Sequence, residues 1–133
     1  MAGDPSQLTV AVVGATGVVG RTMVQVLAER SFPFGELRLL ASGRSAGSTV
    51  SAGGRTLTVG EAAADAFEGV DIALFSAGTE VSSQLAPEAA ARGATVIDNS
   101  NAWRMETGVP LIVSQVNPGD AEWHEGIIAN PNC

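Results

Sequence analysis

Leu8-Thr9-Val10-Ala11-Val12-Val13-Gly14-Ala15-Thr16-Gly17-Val18-Val19-Gly20 is the stretch that decides the fold. A short β-branched run closed by a glycine reads as a buried parallel strand, because a strand covered on both faces shows no polar alternation. Behind it Val19, Met23, Val26, Leu27 and Phe32 recur at roughly helical spacing, with Arg21, Gln25 and Glu29 off that stripe. Strand, Gly14-x-x-Gly17-x-x-Gly20, helix is the context that a dinucleotide fingerprint requires. Glycine lets the backbone turn sharply and approach a pyrophosphate, and the free N–H groups of the helix start face the anion. The middle glycine comes one place later than in the common G-x-G-x-x-G. A purely structural tight turn would use the same glycines; the flanking strand and helix favour cofactor binding.

Outward from that stretch the pattern repeats. Ser31-Phe32-Pro33-Phe34-Gly35 breaks the helix, and Leu37-Arg38-Leu39-Leu40-Ala41-Ser42 reads as a second strand. Val50 and Leu57-Thr58-Val59, joined across Gly53-Gly54, suggest a small hairpin. Asp71-Ile72-Ala73-Leu74-Phe75-Ser76 is another buried strand, followed by a helix over about residues 80–92 with Gly93 at its C-terminal cap. Thr95-Val96-Ile97-Asp98 is the next strand, residues 109–116 are a candidate strand, and Gly126-Ile127-Ile128-Ala129-Asn130 leads to the cysteine. Strands alternating with helices predict an α/β fold, a Rossmann-like doubly wound parallel sheet with right-handed crossovers and helices on both faces. The expected unit is one domain over residues 1–133, with about the first seven residues disordered.

Composition narrows the function. The 133 residues carry 7 Lys+Arg against 14 Asp+Glu, a formal net charge of -7, so a polyanion is repelled rather than steered in. Nucleic acid is therefore not an expected partner. No apolar run approaches the ~18–20 residues needed to span a bilayer, and Met1-Ala2-Gly3-Asp4-Pro5 lacks the pattern of a secretion signal. No membrane partner is expected. The lone cysteine cannot form an internal disulfide, which fits a reducing cytoplasm.

The end of the second strand bears on cofactor choice. An NAD site usually carries Asp or Glu there for the ribose 2′-hydroxyl, whereas this chain has Ser42-Gly43-Arg44-Ser45. A guanidinium beside two hydroxyls suits a 2′-phosphate, so NADP is the expected cofactor. A solvated loop arginine is the plainer alternative. Cys133 follows Asn130-Pro131-Asn132 at the end of a strand, the edge where α/β sheets bind ligands. As a nucleophile it would form a thioester or thiohemiacetal beside the nicotinamide; as a lone cysteine it could equally be a small buried hydrophobe. Arg104, after Asp98-Asn99-Ser100-Asn101-Ala102-Trp103, is an anion clamp or a surface arginine paired with Glu106. His124 sits between acids in Glu122-Trp123-His124-Glu125 and reads as a surface residue, and no metal-ligand cluster is expected.

Taken together, Gly14-Ala15-Thr16-Gly17-Val18-Val19-Gly20, Leu40-Ala41-Ser42-Gly43-Arg44-Ser45-Ala46-Gly47, Phe75-Ser76-Ala77-Gly78, Asp98-Asn99-Ser100, Trp103-Arg104-Met105 and Gly126-Ile127-Ile128-Ala129-Asn130-Pro131-Asn132-Cys133 closely resemble the bacterial aspartate-semialdehyde dehydrogenases. The resemblance runs from about Leu8 to Cys133. It implies reductive dephosphorylation of 4-aspartyl phosphate by NADPH, a step feeding lysine, methionine and threonine synthesis, in a homodimer or homotetramer. By the same resemblance Gly14 belongs to the pyrophosphate loop that Thr16, Gly17, Val18 and Val19 line. Arg44 and Ser45, with Ser42, would hold the 2′-phosphate, and Ser76, Ala77 and Gly78 would pass close to the cofactor. Arg104 matches the arginine that grips the substrate phosphate, and Cys133 the cysteine that becomes the acyl-thioester, with Asn132 shaping the site.

Three positions depart from the family pattern: Gln115 where glutamate is usual, Asn101 where a second serine is common, and Glu106 for aspartate. The family also carries a second domain after the cysteine, with the histidine acid/base and the helix that activates the thiol. A chain ending at Cys133 would lack it, and is expected to be inactive alone. A non-catalytic NADP-binding module is a competing reading. So is a reductase of another acyl phosphate such as N-acetylglutamyl phosphate, against which Asn132 argues, since that group has glycine before the cysteine.

Overall fold

The computed structural model describes residues 4–131. Its elements run β1 (Thr9–Val13), α1 (Val18–Glu29), β2 (Glu36–Ala41), β3 (Thr49–Ala52), β4 (Arg55–Thr58), β5 (Gly60–Glu61), β6 (Ile72–Phe75), α2 (Thr79–Ala91), β7 (Thr95–Asp98) and β8 (Ile127–Ala129). Six strands form one sheet in the order β5-β2-β1-β6-β7-β8, and every pairing in it is parallel. β3 and β4 make a separate antiparallel ribbon, turned by Gly53 (φ 58) and Gly54 (φ 77). Both turn residues need positive φ, the demand of a two-residue hairpin turn, and both are glycine.

The pleat sends alternate residues to two cores. Ala11, Val13, Ala73 and Phe75 pack with Ala86 and Ala89 of α2 on one face. Val12, Leu39 and Ala41 pack with Val24 of α1 and Val50 of the ribbon on the other. Helices thus cover both faces, and the sheet is Rossmann-like and doubly wound. Phe67, on a 3-10 turn (Ala64–Phe67), is fully buried and stacks on Phe75 with ring centroids 5.7 Å apart. Arg38 ties that turn to β2 by donating to the carbonyl oxygens of Ala66 (2.8 Å) and Glu68 (2.9 Å).

Three expectations need correction. In α1 the buried residues are Gly20 and Val24, while Val19 and Val26 of the expected stripe are 42% and 39% exposed. The helix rolls toward Gly20 because only a glycine can sit so near the preceding loop: a Cβ there would lie 1.9 Å from the Gly14 carbonyl oxygen. Residues 109–116 are not a strand. Pro110 supplies no donor, Asn117 accepts from the Val113 N–H (2.8 Å) and donates to the Leu111 carbonyl (2.9 Å), and one bridge from Leu111 to Ala129 remains. The N-terminal segment is not wholly unstructured either, since Pro5–Gln7 forms a 3-10 turn capped by Asp4. The Ser6 backbone N–H and then its hydroxyl hold the Asp4 carboxyl below its ordinary pKa.

Candidate functional site

Because the whole sheet is parallel, the chain leaves β1, β2, β6, β7 and β8 on one edge. β1 is the point where strand order reverses, with β2 on one side and β6 on the other. Open α/β sheets bind ligands in the crevice outside such a switch point. There the loops after β1 and β6 touch closely. Gly14 has φ 87, and a Cβ on it would stand 2.3 Å from the Ser76 carbonyl oxygen. The peptide of Gly14 is held by its N–H donating to the Leu40 carbonyl, 2.9 Å away.

Gly17 is the N-cap of α1, in extended backbone, and no side chain caps the helix. Arg21 N–H is the donor to the Gly17 carbonyl (2.9 Å), so the N–H groups ahead of it lack intrahelical acceptors. Val18 is 85% exposed, and no acidic side chain stands in the first turn. An open, uncapped helix start over a glycine cradle fits an anionic dinucleotide. Thr16 reaches across to the next loop, its hydroxyl donating to the Ser45 hydroxyl at 3.4 Å. That loop is a turn closed by Ser45 and Ala46 N–H groups donating to the Ser42 carbonyl (2.9 and 3.1 Å). Ser42 and Arg44 are exposed in it, and Arg44 makes no ion pair among the described residues. Ser76 and Ala77 are half-buried and Gly78 is exposed, capping α2 with φ 88.

The segment after β7 is pinned to α2. The Trp103 indole donates to the buried Ser82 hydroxyl (3.0 Å), and Thr79 donates to the Asn101 amide oxygen (2.6 Å). Half-buried Arg104 does not pair with Glu106. Its Nε donates to the Asn130 carbonyl (2.7 Å) and its Nη2 to the Asn99 carbonyl (3.1 Å), which joins the ends of β7 and β8. Beside it opens a hollow of about 350 Å³ lined in part by Asn99, Ile112, Gln115 and Asn130. Asp98, fully buried, accepts from the Ser100 hydroxyl at 2.6 Å and leaves its Oδ1 without a partner among the described residues. The Asp98-Asn99-Ser100 stretch carries no local sequence signal that this carboxylate is fully buried. Cys133 and Asn132 lie outside the described residues.

Other features fall away from this edge. A hollow of about 460 Å³ lies between α1 and the ribbon, by Leu27, Phe32, Phe34 and Leu57, at the start of β2 rather than its end. His124 accepts at Nδ1 from the Gly126 N–H (2.9 Å), a local turn contact. Among the described residues no group of three or more His, Cys, Asp or Glu could hold a metal, and no helix is long and apolar enough to cross a membrane.

Residues 9–124 match the family model described as semialdehyde dehydrogenase, NAD binding domain. The aspartate-semialdehyde dehydrogenase of Bacillus subtilis is 58% identical over 126 residues, 95% of this chain and 36% of that protein. That of Aquifex aeolicus is 54% identical over 127 residues, 93% of this chain and 37% of that protein. Among solved structures, aspartate semialdehyde dehydrogenase II from Vibrio cholerae complexed with ASA has a TM-score of 0.90 and 50% identity. The match covers 96% of this chain and 42% of that one. The chain thus spans a little over a third of the length of the curated relatives it matches. With the glycine cradle at the switch point and the family model matched over most of its length, this chain belongs to the semialdehyde dehydrogenase NAD-binding domain family.

Proposed function

We propose that this chain is the cofactor-binding part of an NADP-dependent aspartate-semialdehyde dehydrogenase, which reduces 4-aspartyl phosphate to aspartate 4-semialdehyde and phosphate. The observation that carries the reading is the convergence of loops on one edge. Gly14 is packed on Ser76, Thr16 is bonded to Ser45, and Arg104 is bonded to Asn99 and Asn130. Gly14, Thr16, Gly17, Val18 and Val19 lie along the pyrophosphate in this reading. Ser42, Arg44 and Ser45 take the 2′-phosphate, and Ser76, Ala77 and Gly78 border the cofactor. When bound, the cofactor supplies the hydride that takes an acyl group to an aldehyde. Arg104 keeps two N–H groups on backbone carbonyls and offers the others to the substrate phosphate. Cys133 takes the acyl group as a thioester, releasing phosphate, and Asn132 shapes the site around it. A second domain would supply the acid/base and most contacts of a homodimer or homotetramer. A cytoplasmic setting suits the single thiol.

Arg44→Ala is expected to weaken NADP binding by about 1.5–3 kcal/mol, roughly 10- to 150-fold, and to leave NAD nearly unchanged. Calorimetric titration of both cofactors checks this, and equal affinities in the unmodified chain would contradict it.

Residues 1–133 on their own, a little over a third of the length of the relatives, are expected to show no NADPH-dependent reduction of 4-aspartyl phosphate. A complementing segment from a full-length relative should restore it. Turnover by the pure chain, lost in Cys133→Ser, would overturn the division of labour between domains.

A further inference from the structure

The second strand carries no acid at its end, but its neighbour does. Glu61 closes β5 in register with Ala41, the last residue of β2, and the Ala62 N–H donates to the Ala41 carbonyl at 2.7 Å. A Cβ built on Gly43 would stand 2.9 Å from Glu61 Oε1, and its other neighbours within 4 Å among the described residues, apart from residues 42 and 44, would be atoms of that same carboxylate. The Glu61 carboxylate therefore lies against the backbone of the residue immediately before Arg44. Glu61 is exposed, and no hydrogen bond or ion pair among the described residues engages it. Opposite charges at positions 44 and 61 border one turn without pairing with each other.

We propose that Glu61 is a specificity-determining residue of the cofactor site, acting against the 2′-phosphate. This deepens the cofactor reading above and rests on it. A carboxylate here repels a dianionic phosphate and can accept from a ribose hydroxyl, the service that an acid at the end of the second strand performs in NAD sites. Arg44 pulls the other way. Preference for NADP is then a difference between two opposed side chains, and the missing side chain at Gly43 is what lets Glu61 come so near.

Calorimetric titration of the full chain with NADP and with NAD, at low ionic strength, tests it with four variants. Glu61→Gln is expected to tighten NADP by about 3- to 10-fold while NAD stays level or weakens, and added salt should shrink the gain. Gly43→Ala must push the carboxylate aside, so it should shift NADP the same way by a smaller factor. In the double variant Gly43→Ala should add nothing to Glu61→Gln. NADP affinity unchanged in Glu61→Gln, with Arg44→Ala still losing NADP, would overturn the role of Glu61 and leave the cofactor reading intact. A Gly43→Ala gain that persists in the double variant would also overturn it. No NADP preference in the unmodified chain and no loss in Arg44→Ala would overturn both readings together.

Discussion

Gly14→Ala is expected to destabilise the chain by roughly 3–5 kcal/mol, a large part of the about 5–15 kcal/mol that holds a domain folded. Two costs combine there. Alanine at φ 87 loses about 1–3 kcal/mol to backbone strain. Its Cβ would also stand 2.3 Å from a backbone oxygen of Ser76, which cannot swing away as a side chain can. Overpacking of that kind costs about 1–3 kcal/mol more. The two terms can be separated at neighbouring glycines. Gly78 has φ 88 and nothing within 4 Å of a Cβ, so Gly78→Ala should show the strain alone. Gly20→Ala should show the clash alone, since a Cβ there meets the Gly14 oxygen at 1.9 Å without positive φ. At Gly17 a Cβ meets only the Gly14 oxygen at 3.5 Å, and alanine should cost under about 1 kcal/mol. Urea denaturation of the four variants checks the order. A Gly14→Ala no worse than Gly78→Ala would contradict the close approach of the two loops.

Arg104→Ala, in a parent-length enzyme, is expected to lose about 2–4 kcal/mol of transition-state stabilisation, roughly 30- to 1,000-fold in kcat/KM toward the acyl phosphate. The guanidinium is already oriented by the Asn130 and Asn99 carbonyls, at 2.7 and 3.1 Å, so in the proposed role its free N–H groups would meet a phosphate without a reordering cost. Removing it also strips those two carbonyls of a donor, and stability should fall by about 1–2 kcal/mol. Arg104→Lys should not restore the rate, because an ammonium cannot bond both carbonyls and present a planar fork as well. Steady-state kinetics and a thermal melt separate the two effects. Normal kinetics with a lowered melting point would leave Arg104 a strut between β7 and β8.

The strand and helix pattern was legible because buried parallel strands are short β-branched runs, as in Thr9–Val13 and Ile72–Phe75. What hydropathy could not show was the roll of α1. That helix buries Gly20, a residue with no hydropathy signal, where a Cβ would meet the Gly14 carbonyl oxygen, and Val19 and Val26 are turned outward. Residues 109–116 are apolar enough for a strand, yet Pro110 has no N–H to extend the ladder beyond the two bonds that its carbonyl and the Ile112 N–H make with Ala129. In the site, glycine spacing and the 42–45 turn could be read because each is local. Glu61 beside Gly43, and Arg104 spanning Asn99 and Asn130, depend on strand neighbours distant along the chain, and only the fold brings them together.

The most direct test is amide chemical-shift perturbation of the isotopically labelled chain on titration with NADP. The largest shifts are expected at residues 14–19, 42–45 and 76–78, the loops gathered at the switch point, with the ribbon turn at Gly53 and Gly54 unmoved. Shifts concentrated in the hollow by Phe32, Phe34 and Leu57, or none at millimolar NADP, would contradict a dinucleotide site at this edge of the sheet.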